Sequence, residues 1–230
     1  KTNEDLYLYG LHIEQYRHAT YQPEDYYLEG LRRDDTDSRL NNAYGRLLFG
    51  RGLFRESEQH FRKAIAKLTR SNPNPYDSEP YYHLGLALLY QNRLDESYDA
   101  FYKATWSSAW QEASFFHMAC IQERKGDTAL ALSHIEQALI KNSHNYRARN
   151  VKALLLQKLG QQEAARKWAE ETLRLDPMDN ISRRLLGQKL PLRTDTAIEL
   201  ALEYKACGFY EEAIKVLARA EGTHPMVQYH

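Results

Sequence analysis

His117 and Cys120 stand three residues apart, so on a helix they would share a face and could offer two donors to a soft transition metal. A zinc site needs at least three protein donors, and two make none; a helix-lining His and Cys belong to packing. Cys120 and Cys207 lie far apart and outside any CxxC spacing, which excludes a zinc ribbon and a disulfide framework. His12 and His18 are six residues apart and fall on different helix faces, and no HExxH occurs. The acidic pairs Glu170-Glu171 and Glu211-Glu212 are expected on solvated helix surfaces, as is the cluster Arg32-Arg33-Asp34-Asp35. No GxSxG, phosphate-loop or dinucleotide glycine pattern appears; Gly10, Gly30, Gly45, Gly50 and Gly52 are scattered. The expectation is no catalytic residue, no cofactor and no metal, and hence a chain that is not an enzyme by itself.

The bulk composition narrows the partners. Hydrophobic residues make up 43% and charged residues 27% of the 230, enough apolar surface for a core. Tyrosine is unusually common at 17, and aromatics reach 12%, which suits packed helices and also a recognition surface built from flat rings. Lys+Arg and Asp+Glu each number 31, so no overall positive field favours phosphate, and nucleic acid is not expected as a partner. No run approaches the apolar length of a membrane span, so no membrane partner is expected either. The chain begins at Lys1 rather than Met, and a piece of a longer protein is expected, whose leader this sequence does not reveal. The cysteine usage fits a cytoplasmic setting.

The elements that must position any working surface announce themselves by repetition. Five segments share a small residue, seven places to Gly or Asn, five to a second small residue and seven to a third. They are Gly45-Gly52-Ser57-Ala64, Gly85-Asn92-Ser97-Ala104, Ala119-Gly126-Ala131-Ala138, Ala153-Gly160-Ala165-Thr172 and Ala201-Gly208-Ala213-Ala220. The steps between them are 40, 34, 34 and 48 residues. Each segment predicts two antiparallel helices, with small residues where they approach and the Gly or Asn in left-handed conformation where the first ends. Phe54, Phe61, Leu88, Leu94, Phe101, Ile135, Leu156, Tyr210 and Leu217 are expected to fill the gaps. A weaker unit, residues 1–37, has Leu11, His18, Pro23 and Gly30 at the matching places. Four units then span 38–179, with a loop inserted at 72–77. A short extra helix is expected within 180–193, stopped by Pro191. Residues 194–230 hold a further unit and the start of a truncated one.

These residues resemble the tetratricopeptide family, whose 34-residue unit carries small residues at such fixed places and often a proline near its end, as at Pro177 and Pro225. The resemblance covers nearly the whole chain. It implies an all-α fold, a right-handed α-α superhelix or solenoid of about five to six helix pairs. A narrower resemblance rests on Leu6-Tyr7-Leu8-Tyr9-Gly10-Leu11-His12 and on residues 72–106, from Asn72-Pro73-Asn74-Pro75-Tyr76-Asp77 to Trp106. Those stretches look like the C-terminal repeat region of large bacterial proteins with an uncharacterised carbohydrate-enzyme-like β-sandwich at the N-terminus. It implies that any catalysis belongs to that missing domain, and that the chain is an accessory, docking or dimerisation arm of it.

In the tetratricopeptide family the first helix of each pair lines a concave groove. The resemblance therefore implies partner-binding roles for Tyr9, His12, Asn42, Arg46, Tyr82, His83, Phe116, His117, Arg147 and Asn150. Tyr16, Phe49, Glu79, Tyr90, Cys120, Glu123, Arg124, Leu154 and Lys158 fall on the same face. Aromatics, amides and arginines of this kind hold an extended peptide through its backbone and pocket its side chains. The two-carboxylate clamp with which some relatives take a C-terminus is absent, because its places hold Asn42, Arg46, His83, Ala113 and His117. The expected partner is a protein or peptide, including the N-terminal domain of the same protein. Trp106 and Trp110, at the end of a second helix, are expected to pack between repeats.

Overall fold

A computed structural model describes residues 1–16, 20–188 and 193–220. The regular structure in them is entirely helical. The chain divides into two units, Lys1–Gln111 and Glu112–His230. In unit 1 the helices are α1 (Asn3–Tyr16), α2 (Pro23–Arg33), α3 (Ser38–Gly50), α4 (Phe54–Leu68), α5 (Glu79–Tyr90) and α6 (Leu94–Ala104). α7 (Ser108–Lys125) begins there and continues into unit 2, followed by α8 (Thr128–Lys141), α9 (Tyr146–Lys158) and α10 (Gln162–Leu175). The last three are α11 (Asn180–Leu185), α12 (Thr194–Ala206) and α13 (Tyr210–Leu217).

The small residues mark where a large ring of the second helix presses on the first. A Cβ placed on Gly45 would stand 2.6 Å from the Phe61 ring, and one on Gly85 2.8 Å from Phe101. Neither ring has any exposed surface. The later units spend alanine at that place: Ala119, Ala153 and Ala201 are all buried. From α3 onward each first helix is followed by a residue with positive φ, Asn92 at 59° standing where Gly52, Gly126, Gly160 and Gly208 stand in the other pairs. Its short amide side chain tolerates that region better than other L-residues. Ser57, Ser97, Ala131, Ala165 and Ala213, at the third place, are buried too. Ser97 also donates from its hydroxyl to the Gly85 carbonyl at 2.7 Å, tying helix to helix.

Four helix starts are fixed by side-chain caps. Asp37 accepts from the Arg39 and Leu40 amides, Asp127 from Leu130, Asn145 from Ala148 and Asp179 from Ser182. Each satisfies amides that the first turn leaves without a partner.

Several sequence expectations need correction. In the first pair the close approach is made by Gly10, not Leu11: a Cβ there would meet Tyr27 at 2.3 Å. Gly10 stands seventeen residues before the ring it meets, Tyr27, whereas Gly45 stands sixteen before Phe61, so the matching place is shifted by one. His18, expected in that connection, lies outside the described residues, as do Pro191 and the truncated repeat start at 221–230. α11 stops at Leu185, where Gly187 takes φ 74° and the Gln188 amide reaches back to the Arg183 carbonyl. Tyr210 is 48% exposed rather than filling a gap. Trp106 lies beyond α6 and is exposed under Lys103, and Trp110 belongs to the first turn of α7.

With no room above Phe101, Gly85→Val should destabilise unit 1 by about 1–3 kcal/mol through overpacking. Gly50→Ala, with nothing within 4 Å of the added carbon, should be neutral or stabilising by about 0.5–1 kcal/mol. Urea midpoints of the two variants against the parent check both signs.

Candidate functional site

Unit 1 carries a polar network across its first helices, α1, α3 and α5. The Arg46 guanidinium reaches Glu14 at 3.3 Å and Glu79 at 3.6 Å, bridging two carboxylates from different helix pairs. Tyr27 donates from its hydroxyl to the far Glu14 oxygen at 3.0 Å. His83 Nδ1 lies 3.3 Å from Asn42 Oδ1, and the Asn42 amide donates in turn to Glu79. This chain fixes the His83 proton on Nδ1, since only an N–H satisfies the Asn42 oxygen.

Burial sets the charges. It pushes the His83 pKa down to about 3, with Arg46 adding to the effect, so the ring is a neutral donor. Burial also raises Glu79, although Arg46 and the Asn42 hydrogen bond pull the other way. Arg46 is thus matched against two carboxylates, leaving it no spare charge for an anionic ligand. The surface offers hydrogen bonds and rings instead.

The rings stand beside the network. Tyr82 stacks on Trp110 with centroids 4.6 Å apart and planes at 27°, both partly exposed. His83 lies edge-on to Trp110 at 5.6 Å and stacked on the buried Phe61 at 5.5 Å. At the other end of α3 and α5, Phe49, Phe54 and Tyr90 form a second cluster with centroids 4.9–5.3 Å apart. Tyr90 is 62% exposed there. Of the residues expected from unit 1, the structure brings Asn42, Arg46, Tyr82 and His83 into one cluster, but Asn42 is buried in it and supports His83 and Glu79 rather than lining the surface. Tyr9 and His12 stand on α1 outside it, Tyr9 facing Tyr26 and His12 packed on Tyr16.

The corresponding face of unit 2 is covered. Leu200, Ala201, Tyr204 and Cys207 of the α12 segment share a core with Phe116 and Cys120 of α7 and Val151 and Leu154 of α9. Phe116 is 5% exposed and lies beneath the Arg147 guanidinium, 5.0 Å from its centroid. Asn150 is also buried, donating to Asp179 at 2.7 Å and accepting from the Ser182 hydroxyl at 3.0 Å. It anchors α11, and its amide is taken up by Asp179 and Ser182. Burial lowers the His117 pKa to about 4, with Arg147 and Arg124 contributing. Glu123, expected on the face, is buried and paired with Lys158 and the Thr128 hydroxyl. Arg147 alone of the four expected from this unit stands exposed.

A small cavity of about 20 Å³ remains, lined by Arg147, Asn150, Leu154, Glu203, Tyr204 and Cys207 among others. Among the described residues no group of three or more His, Cys, Asp or Glu is placed to hold a metal.

Sequence reasoning missed Glu14 and Trp110. Glu14 belongs to the weak first unit, where the shifted place obscures its register. Trp110 reads as the tail of the preceding second helix by repeat spacing, whereas α7 begins at Ser108 and carries it in its first turn.

The neutral His83 gives a pH signature. The unfolded chain takes up this proton near 6.5 and the folded chain only near 3, so stability is full above 6.5 and falls as pH drops through that window. An NMR titration should show the ring neutral and unchanged from about pH 8 to about pH 5. Unfolding curves of His83→Gln should lose less stability on acidification than the parent. A His83 midpoint near the ordinary value would contradict the buried network.

A tetratricopeptide repeat family model matches residues 117–180. Solved structures with the same fold include PilF of Pseudomonas aeruginosa, at 17% identity and TM-score 0.69, covering 99% of this chain and 95% of that one. PilW, a type IV pilus biogenesis factor, matches at 15% identity and TM-score 0.62, covering 99% and 97%. YrrB, a tetratricopeptide protein with an unusual peptide-binding site, matches at 16% identity and TM-score 0.56, covering 88% and 96%. With these likenesses beside its paired helices, this chain has an all-α, tetratricopeptide-type fold.

Proposed function

We propose that the chain is a protein-interaction scaffold whose unit 1 holds a peptide or partner segment across α1, α3 and α5. The observation that carries this reading is the partly exposed cluster of Arg46, Glu79, Tyr82, His83 and Trp110, held from beneath by hydrogen bonds through the buried Asn42. Preorganised polar groups beside stacked rings bind at low entropic cost, because little must be ordered on association. The likeness to YrrB, a protein with a peptide-binding site, points the same way.

The charge pattern narrows the partner. With Arg46 engaged by Glu14 and Glu79, and His83 neutral, this cluster holds no spare cation for a terminal carboxylate. An internal extended segment presenting backbone amides and an apolar or aromatic side chain fits better. Narrower still, the stretches around Tyr7 and residues 72–106 support a docking arm for a carbohydrate-enzyme-like domain of the same protein. That domain would then supply the segment.

Affinity capture with the full chain, followed by identification of the bound segment and titration of it, tests the scaffold role. Arg46→Glu combined with Tyr82→Ala should weaken binding tenfold or more, about 1.4 kcal/mol. Arg147→Glu, on the covered face of unit 2, should leave it unchanged. Binding that survives the double change overturns the assignment to unit 1.

A further inference from the structure

Two buried thiols meet where the α12 segment crosses α7, and the proposed binding role uses neither. Cys120 is 4% exposed and Cys207 5%, and both are free. Their approach is fixed from both sides of Cys207. The Arg124 guanidinium, one turn beyond Cys120 on α7, donates to the Ala206 carbonyl at 2.6 Å. Gly208 presses so closely that a Cβ on it would stand 3.0 Å from the Arg124 backbone nitrogen. Cys207, the residue between them, shares one core cluster with Cys120.

We propose that Cys120 and Cys207 are an oxidisable pair, which a small peroxide joins as an intramolecular disulfide that fastens α12 over α7 and α9. The two sulfurs play different parts. Cys207 lines a small cavity of about 20 Å³ beside Arg147 and Glu203, large enough for about one water-sized molecule; Cys120 is not among the lining residues. The thiols pair, with Cys120 donating, which lowers Cys207 and raises Cys120; burial raises both, and Arg147 and Arg124 lower both.

Cys207 sulfur attacks one peroxide oxygen, the O–O bond breaks, and the departing hydroxide leaves as water with the Cys207 proton. Cys120 sulfur then attacks the resulting sulfenic acid. The S–S bond forms as the S–O bond breaks, and the oxygen leaves as a second water with the Cys120 proton. Two thiols give up two electrons and one peroxide takes them. The bridge closes the chain from 120 to 207, a loop that contains α8 to α12 and removes much freedom from the unfolded state.

The full chain, reduced and freed of reductant, is treated with hydrogen peroxide and followed by free-thiol titration, intact mass and a non-reducing peptide map. The expected result is loss of both thiols together, a mass lower by two hydrogens, a Cys120–Cys207 crosslinked peptide and a raised Tm that dithiothreitol reverses. Cys120→Ser should stop at a Cys207 sulfenic acid that dimedone traps. Cys207→Ser should leave Cys120 unreacted under the same exposure. A parent chain that yields only single sulfenic acids, crosslinks between chains, or reaction solely after unfolding in urea overturns the proposal.

Discussion

Everything in this chain follows from how closely two antiparallel helices can nest. A helix pair of this length buries too little apolar surface alone, so each must press against its neighbours, and the distance of approach is set by the smallest side chain at the crossing. Phe61 and Phe101 occupy the volume that Gly45 and Gly85 leave empty. A larger side chain at either place would push the second helix outward and open the core along the pair. Left-handed residues such as Asn92 then turn the chain sharply enough for the second helix to return against the first.

That constraint decides which faces are left for work. With the second helices committed to packing, the first helices are free to carry polar groups, and unit 1 places Arg46, Glu79 and His83 there. The same face in unit 2 carries Phe116, Cys120, Val151 and Leu154, an apolar strip that water would penalise at roughly 25 cal/mol per Å². α12 covers it. The difference between an open and a covered face is thus written in side-chain polarity at matched places.

The fold class was legible in the sequence because its signal is steric and periodic: tiny residues at fixed intervals mark the crossings of nested helices. The left-handed places at Gly52, Asn92, Gly126, Gly160 and Gly208 were legible for the same reason. The candidate site was less so. Periodicity says which face a residue occupies but not what lies over it, so by spacing alone Phe116 and Asn150 look as available as Tyr82 and His83. Nothing local to α12 announces that it lies back over helices some fifty to eighty residues earlier. The pairing of Glu123 with Lys158 and of Arg46 with Glu14 was hidden likewise, since both join different helix pairs.

The covering helix has a thermodynamic meaning of its own. α12 is tethered to the strip it covers, so it competes there at an effective concentration on the order of millimolar, whatever the protein's abundance. A foreign helix with merely equal contacts would lose to it at ordinary cellular levels. Only a ligand with additional purchase, or a change that loosens the tether, would claim that strip.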